Sequence, residues 1–225
     1  SLFVETTAIL APRYVSPTAA EYVIVGEKFN RNDQIGLASS EMAVKAWCKY
    51  KTETGHSTDI KQLDCGTILD LDTGEVSGLP TRNFSMEEKI EFASQFKSIT
   101  FRYQWEDSCS DEEEIPKLLE ASRSNLWRVQ TRLDWFMDYN FILRIDNRFA
   151  YYFNFNNPKI QKIDPFDFSS LGQYVLADVS TQLIYSIMKG NVHWNNAEGG
   201  LHIDFYREPN IFVPEVYVLM SFFRA

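Results

Sequence analysis

Two of the three histidines in this chain fall within residues 190–204, the stretch Gly190-Asn-Val-His-Trp-Asn-Asn-Ala-Glu-Gly-Gly-Leu-His-Ile-Asp204. Histidine beside carboxylates is the residue set of zinc sites and of general acid–base pairs. His193, Glu198, His202 and Asp204 are therefore the candidate metal ligands. A strand over 201–206 would put His202 and Asp204 on one face. Glu198 with either histidine is the candidate acid–base pair. Trp194, Asn195 and Asn196 add an aromatic surface and two amides, so these seven residues form the candidate ligand-binding set. A plainer reading stands beside it, in which the histidines are hydrogen-bonded structural residues around a hairpin turn of Asn195, Asn196, Gly199 and Gly200. The spacing matches no metal signature, and neither a metal ligand nor a catalytic residue is assigned.

Other chemistries find less support. Ser/His/Asp hydrolysis needs a nucleophile on a strained turn such as GxSxG, and none occurs. Cys65 stands near His56, but a reactive thiol needs an electropositive setting and Asp64 has the wrong sign. Cys48, Cys65 and Cys109 are odd in number, far apart and outside CxxC spacing. That usage predicts reduced, mostly buried thiols of a cytoplasmic protein. Asp70, Asp72 and Thr73 before Gly74 echo part of a calcium loop without its closing Glu, so a β-turn is the better reading. No GxxxxGK[ST] or GxGxxG phosphate cradle is present.

The bulk of the chain bounds the answer further. Its 225 residues suffice for one large domain or two small ones, and 44% apolar content argues for a packed core. Phe and Tyr, 17 and 11 in number, favour a sheet-containing fold. A net charge of −9 repels phosphate backbones and anionic lipid surfaces, and no run of Lys and Arg offsets it. No apolar stretch is long enough to span a bilayer, and the N-terminus lacks signal-peptide features. The chain opens Ser1-Leu-Phe-Val without an initiator Met, and is read as part of a longer protein.

The elements that must hold the candidate residues are legible from caps and periodicity. Short β-like runs occur at Phe3-Val4 and at 22–25. Ser39 opens a helix over about 39–54 that Gly55 ends. Residues 61–65 read as a short strand, and 66–74 as a strand running into an Asp-Thr-Gly turn. Residues 75–85 read as a linker, after which Ser85 and Glu88 form a capping box. Ile115, Leu118, Leu119, Leu126, Val129, Leu133 and Phe136 predict a helix over 115–138. Strands follow at 141–145 and 150–155 around a tight Asp146-Asn147-Arg148 turn, and again at 174–179. Ser180 starts a helix ending at Gly190, so the candidate segment hangs between that helix and a strand. The last apolar run, 216–223, reads as a buried helix or strand. Trp105, Trp127, Trp135, Phe136, Tyr139, Phe141, Tyr151, Tyr152 and Phe153 could line an apolar pocket, though core and an oligomer face explain them more simply.

Two family resemblances follow from these residues. Residues 12–76, with Pro12-Arg-Tyr-Val-Ser-Pro17, Phe29-Asn-Arg-Asn-Asp33 and Leu63-Asp-Cys-Gly-Thr-Ile-Leu-Asp-Leu-Asp-Thr-Gly74, resemble the region after the catalytic core of UlaG-like metallo-β-lactamase-fold proteins. That subgroup includes relatives of Rieske-linked sugar-nucleotide hydroxylases. The family's metal centre needs an HxHxDH motif, which His56, His193 and His202 do not form, so no ligand set carries over. Residues 85–225, with Tyr151-Tyr-Phe-Asn-Phe155, Ala177-Asp-Val-Ser180 and the helix ending at Lys189-Gly190, resemble sterol-carrier-type domains, which enclose hydrophobic ligands. The Trp194-Asn-Asn-Ala-Glu-Gly-Gly200 stretch is instead similar to the tail of the lactamase-fold subgroup.

The resulting expectation is an α+β fold. Residues 1–84 form a partial metallo-β-lactamase-like tail and linker, and residues 85–225 a sterol-carrier-like domain. The function expected is non-catalytic ligand binding or oligomerisation within a larger protein. The alternatives are part of a metal-dependent hydrolase or hydroxylase whose metal site lies outside this chain, or a hydrophobic-ligand carrier. No cofactor is expected in this chain. The expected partners are the rest of a longer chain or a second copy, and a small molecule; nucleic acid and a membrane span are not expected.

Overall fold

The computed structural model describes residues 2–17, 22–34, 39–63, 66–78, 84–105 and 113–225. The fold is α+β, and the chain forms two compact units, Ser1–Ile99 and Thr100–Ala225.

In the first unit a helix, α1 (Leu2–Leu10), stands where a β-run was expected at Phe3-Val4. Two adjacent apolar residues carry no period of their own. Joined by Thr7 and Ala8 they recur at helical spacing, and these four are the buried or half-buried positions of α1. The run at 22–25 forms no strand either. Its backbone is taken by Asn32, whose Oδ1 accepts the Ile24 N–H at 2.7 Å and whose Nδ2 donates to Ile24 O and Phe29 O. A side-chain amide here outcompetes a ladder, and Gly26–Gln34 continues as a 3₁₀ segment.

β1 (Tyr14–Val15) and β2 (Asp59–Ile60) pair in parallel. The ladder with β1 therefore sets the strand two residues before the expected 61–65, of which 64–65 lie outside the described residues. Between them α2 (Ser40–Thr54) begins where Ser39 Oγ accepts the Met42 N–H, and ends at left-handed Gly55. Trp47 is its buried anchor, with Nε1–H donated to Thr58 O at 3.2 Å. Cys48, the next residue along the helix, is exposed, contrary to the expectation of buried thiols. One step of about 100° around a helix carries a side chain off the buried stripe. Cys65 and Cys109 lie outside the described residues.

β3 (Thr67–Leu69) and β4 (Val76–Gly78) form an antiparallel hairpin, so the expected linker contains a strand. At its turn Asp70 Oδ1 accepts the N–H groups of Asp72 and Thr73, the β-turn reading of that motif. α3 (Met86–Ser94) opens on the expected capping box: Ser85 Oγ accepts from Glu88 N, and Glu88 Oε2 accepts from Ser85 N.

The second unit is built on a five-stranded sheet, in the order β7-β6-β5-β8-β9. Its long helix, α4 (Glu114–Leu133), stops five residues short of the expected end. Asp134 takes a left-handed conformation and returns its N–H to the last turn, so Phe136 falls beyond the helix. β5 (Asn140–Ile145) and β6 (Phe149–Asn154) are antiparallel, joined through Asp146 and Asn147 at φ 50° and 55°, the geometry of a type I′ turn. β7 (Gln161–Ile163) adds to β6, while β8 (Tyr174–Val179) runs parallel to β5. α5 (Thr181–Met188) follows at once, capped by Ser180 Oγ, and Gly190 ends its turn at φ 78°. Next come α6 (Trp194–Gly199), the edge strand β9 (Asp204–Glu208) and α7 (Pro214–Met220).

Alternation sorts the sheet into two faces. Phe141, Leu143, Ile145, Tyr151, Phe153, Val175, Ala177 and Val179 form the core with α4, α5, α6 and α7. Ile142, Ala150 and Leu176 face the other way, under Phe168 and Leu171 of the β7–β8 loop.

Inside the core Arg123 of α4 is 1% exposed and has no carboxylate partner among the described residues. Its guanidinium donates to Gln130 Oε1, Asn154 O and Asn157 O, and lies 4.7 Å from the centroid of the Phe153 ring. Burial lowers its pKa to about 10. The arginine serves as a clamp on the chain leaving β6.

Candidate functional site

The chain between α5 and β9 builds one wall of a cleft in the second unit. After Gly190, the N–H groups of Asn191 and Val192 both return to Ser186 O at 2.9 and 3.2 Å, folding the segment back onto α5. His193 then caps α6: its Nδ1 accepts the Asn195 N–H at 3.2 Å. The hairpin turn expected of Asn195, Asn196, Gly199 and Gly200 is thus a short helix, because a histidine supplies the cap that sequence rules assign to Ser, Thr, Asp or Asn. Leaving α6, Leu201 is left-handed at φ 57° and the His202 N–H bonds to Ala197 O at 2.8 Å. That turn aims the imidazole back across α6.

His202 Nδ1 stands 3.2 Å from Tyr103 Oη. The Phe101 and Tyr103 rings are parallel, 6.0 Å apart, and His202 meets both edge-on at 4.4 and 5.5 Å. Gly200 lies against the same imidazole, closely enough that a Cβ there would fall 2.7 Å from His202 Cδ2. These contacts fix the ring on three sides. Phe101, Tyr103 and His202, with Arg102, Leu183, Asn191, Val192, Asn196 and Ala197, line a cleft of about 420 Å³. Leu183, Val192 and Ala197 are its apolar lining residues, and Arg102, Asn191, Asn196 and His202 its polar ones.

The seven residues singled out in the sequence do not converge. His202 and Asn196 reach the cleft. His193 and Asn195 are exposed at the start of α6, spent on its cap. Trp194 is buried in the core, 5.9 Å from Phe141 between ring centroids, and Glu198 shares its face of α6 one turn on. Burial pushes the Glu198 carboxyl above the usual range, with Arg207 and the Trp194 indole N–H pulling partly back. Asp204 opens β9 opposite Asp178, on the sheet face of Arg144 and Ala150. His202 precedes the strand, so the alternation expected to pair it with Asp204 does not operate.

Seven of the nine cleft residues were not among those singled out in the sequence, Phe101, Arg102 and Tyr103 among them. The available signal was a basic residue between two aromatics directly before the acidic loop. The nine aromatics offered as a pocket lining divide differently. Tyr139, Phe141, Tyr151 and Phe153 are core, Trp105 and Phe136 are exposed, and none lines the cleft. The acidic run from Asp107 lies largely outside the described residues. A second, open hollow of about 780 Å³ gathers Arg128, Lys189 and Arg224 beside Ser124 and Asn125. Lys189 is paired there with Glu114 at 2.5 Å.

Among the described residues no group of three or more His, Cys, Asp or Glu side chains is placed to hold a metal ion, and no helix is long and apolar enough to cross a membrane. Comparison with family models, with curated proteins and with solved structures finds no match to this chain.

Proposed function

We propose that the chain is the ligand-binding portion of a larger metallo-β-lactamase-fold protein, and that its second unit holds a small molecule in the cleft at His202. The observation that carries this reading is the cleft itself. Its volume, about 420 Å³, falls in the range of pockets that bury small ligands, and it joins an apolar wall to a few polar groups. Phe101, Tyr103 and Gly200 hold the imidazole in place, so little ordering remains to oppose binding. The link to a larger protein rests on the residue pattern of 12–76. On this reading the protein is cytoplasmic, and its partners are the rest of a longer chain and the small molecule.

Native mass spectrometry of the full chain, purified without chelator, tests the assignment. A non-covalent adduct that is lost on denaturation, and missing from Asn196→Trp with its cleft filled, supports it. A bare mass, together with unmoved His202 resonances on titration with a small-molecule library, refutes it.

A further inference from the structure

The hollow at Arg128, Lys189 and Arg224 shares no lining residue with the cleft at His202. Ala121, Ser124, Asn125 and Arg128 stand at i, i+3, i+4 and i+7 of α4, so one helical face contributes all four. Lys189 and Gly190 come from the chain leaving α5. Arg224 and Ala225 are tied to both helices: Asn125 Nδ2 donates to Arg224 O at 3.1 Å, and the Ala225 N–H to Met188 O at 2.9 Å.

Around this hollow the acceptors are spent and the donors are not. Carbonyls at the end of a helix ordinarily present partial negative charge. Here Tyr185 O, Ser186 O, Ile187 O and Met188 O each accept a backbone N–H, from Lys189, Asn191, Gly190 and Ala225. Asn125 Oδ1 accepts from Arg128 Nη2 at 2.6 Å, which leaves the other donors of that guanidinium. Among the described residues neither Arg128 nor Arg224 is ion-paired with a carboxylate. Three cationic side chains thus line the hollow, and no acidic one among the described residues does, in a chain of net charge −9. Glu114 offsets the charge of Lys189, and a main-chain carboxylate at Ala225 would offset one more, so the balance stays positive.

We propose that this hollow binds a phosphorylated small molecule, with Arg128 and Arg224 holding its phosphoryl group. Guanidinium groups offer paired N–H donors that match the oxygens of a phosphate, and Ser124 adds a hydroxyl beside them. Ala121 and the aliphatic stems of the basic side chains receive the rest of the ligand. Size and charge select this class. About 780 Å³ is more than a phosphate ion fills and lies in the range of small-ligand pockets. A nucleic acid or an anionic bilayer would meet the −9 of the whole chain, whereas a small anion feels chiefly the cations within about 10 Å of it. The site stands independently of the reading of the His202 cleft.

The test follows amide chemical shifts of the full chain, at physiological salt, on titration with inorganic phosphate, glycerol 3-phosphate and glycerol. The expected result is saturable shifts at residues 121–128, 189–190 and 224–225 with glycerol 3-phosphate, at lower concentration than with phosphate, and none with glycerol. Arg128→Gln and Arg224→Gln should each weaken binding by about tenfold, the loss of one charge-assisted contact. Arg132→Gln, on the same helix but outside the hollow, should leave it unchanged. Arg224 is held through its carbonyl, so Arg224→Gln keeps the bond from Asn125 and the fold with it. Four results overturn the proposal: no saturable shift at these amides, equal binding by wild type and Arg224→Gln, inorganic phosphate binding as tightly as the ester, or binding to phosphatidylglycerol vesicles without response to the ester, which makes the surface one for lipid headgroups.

Discussion

Replacing Gly200 by alanine, with Gly199 as its neighbour control, probes how tightly the imidazole is held. A Cβ at position 200 would sit 2.7 Å from His202 Cδ2, 2.9 Å from His202 Nε2 and 2.9 Å from Asn196 O. Carbon contacts are comfortable near 3.5–4.0 Å, so something must move by about 1 Å. The Asn196 carbonyl is held by the Gly200 N–H at 2.9 Å, and the ring is hemmed by Phe101. The backbone at 200 is φ −78°, ψ 2°, open to any L-residue, so the whole effect is steric. Overpacking of this kind costs about 1–3 kcal/mol. A Cβ at Gly199, in contrast, meets nothing within 4 Å. Alanine there should stabilise the last turn of α6 by up to about 0.5–1 kcal/mol. The two variants, adjacent and chemically identical, are thus expected to move stability in opposite directions. Urea midpoints at constant m-value read the difference, and the His202 ring protons in G200A should lose the ring-current shift imposed by Phe101. Equal midpoints for the two variants, with the His202 shift unchanged in G200A, would refute the packing argument.

Burial raises the pKa of Tyr139, Tyr151 and Tyr217. In such a group the folded state keeps a proton that the unfolded chain releases. Its contribution is therefore whole below about pH 10, the ordinary tyrosine value, and is lost as pH rises through the folded pKa. Absorbance at 295 nm should show a late-titrating tyrosine component, and Tyr139→Phe should reduce it; a late component that Tyr139→Phe leaves unchanged would count against it. Arg123→Met strips the donors from Gln130 Oε1, Asn154 O and Asn157 O. At about 1–3 kcal/mol for each acceptor left buried, and with those losses overlapping, the variant should lose about 3 kcal/mol in denaturant unfolding. A loss below about 1 kcal/mol would show that the carbonyls find water instead.

Much of the fold could be read locally. Ser39 with Gly55, Ser85 with Glu88, Ser180 with Gly190 and the Asp146-Asn147 turn all act within a few residues, so their geometry is written where their sequence is. The first helix was hidden because Phe3 and Val4 suit a strand until Thr7 and Ala8 complete the stripe. The end of α4 was overrun because a helical apolar period persists to Phe136, while the stop depends on one left-handed Asp134.

For the candidate site the division is sharper. Composition, charge and the crowding of His, Asn and Glu into 190–204 were properties of the chain itself, and they directed attention to the segment that builds one wall of the cleft. Which side chains meet there was a tertiary decision. Tyr103 and His202 stand 99 residues apart and share a hydrogen bond. Asp204, two residues from His202, lands on the opposite face of the sheet because β9 begins at that residue. Trp194 and Glu198 turn to the core because His193 starts a helix beneath them. Caps and turns are bonds between sequence neighbours, whereas a cleft is a meeting of surfaces, fixed only once the sheet register and the packing of α5 and α6 are in place.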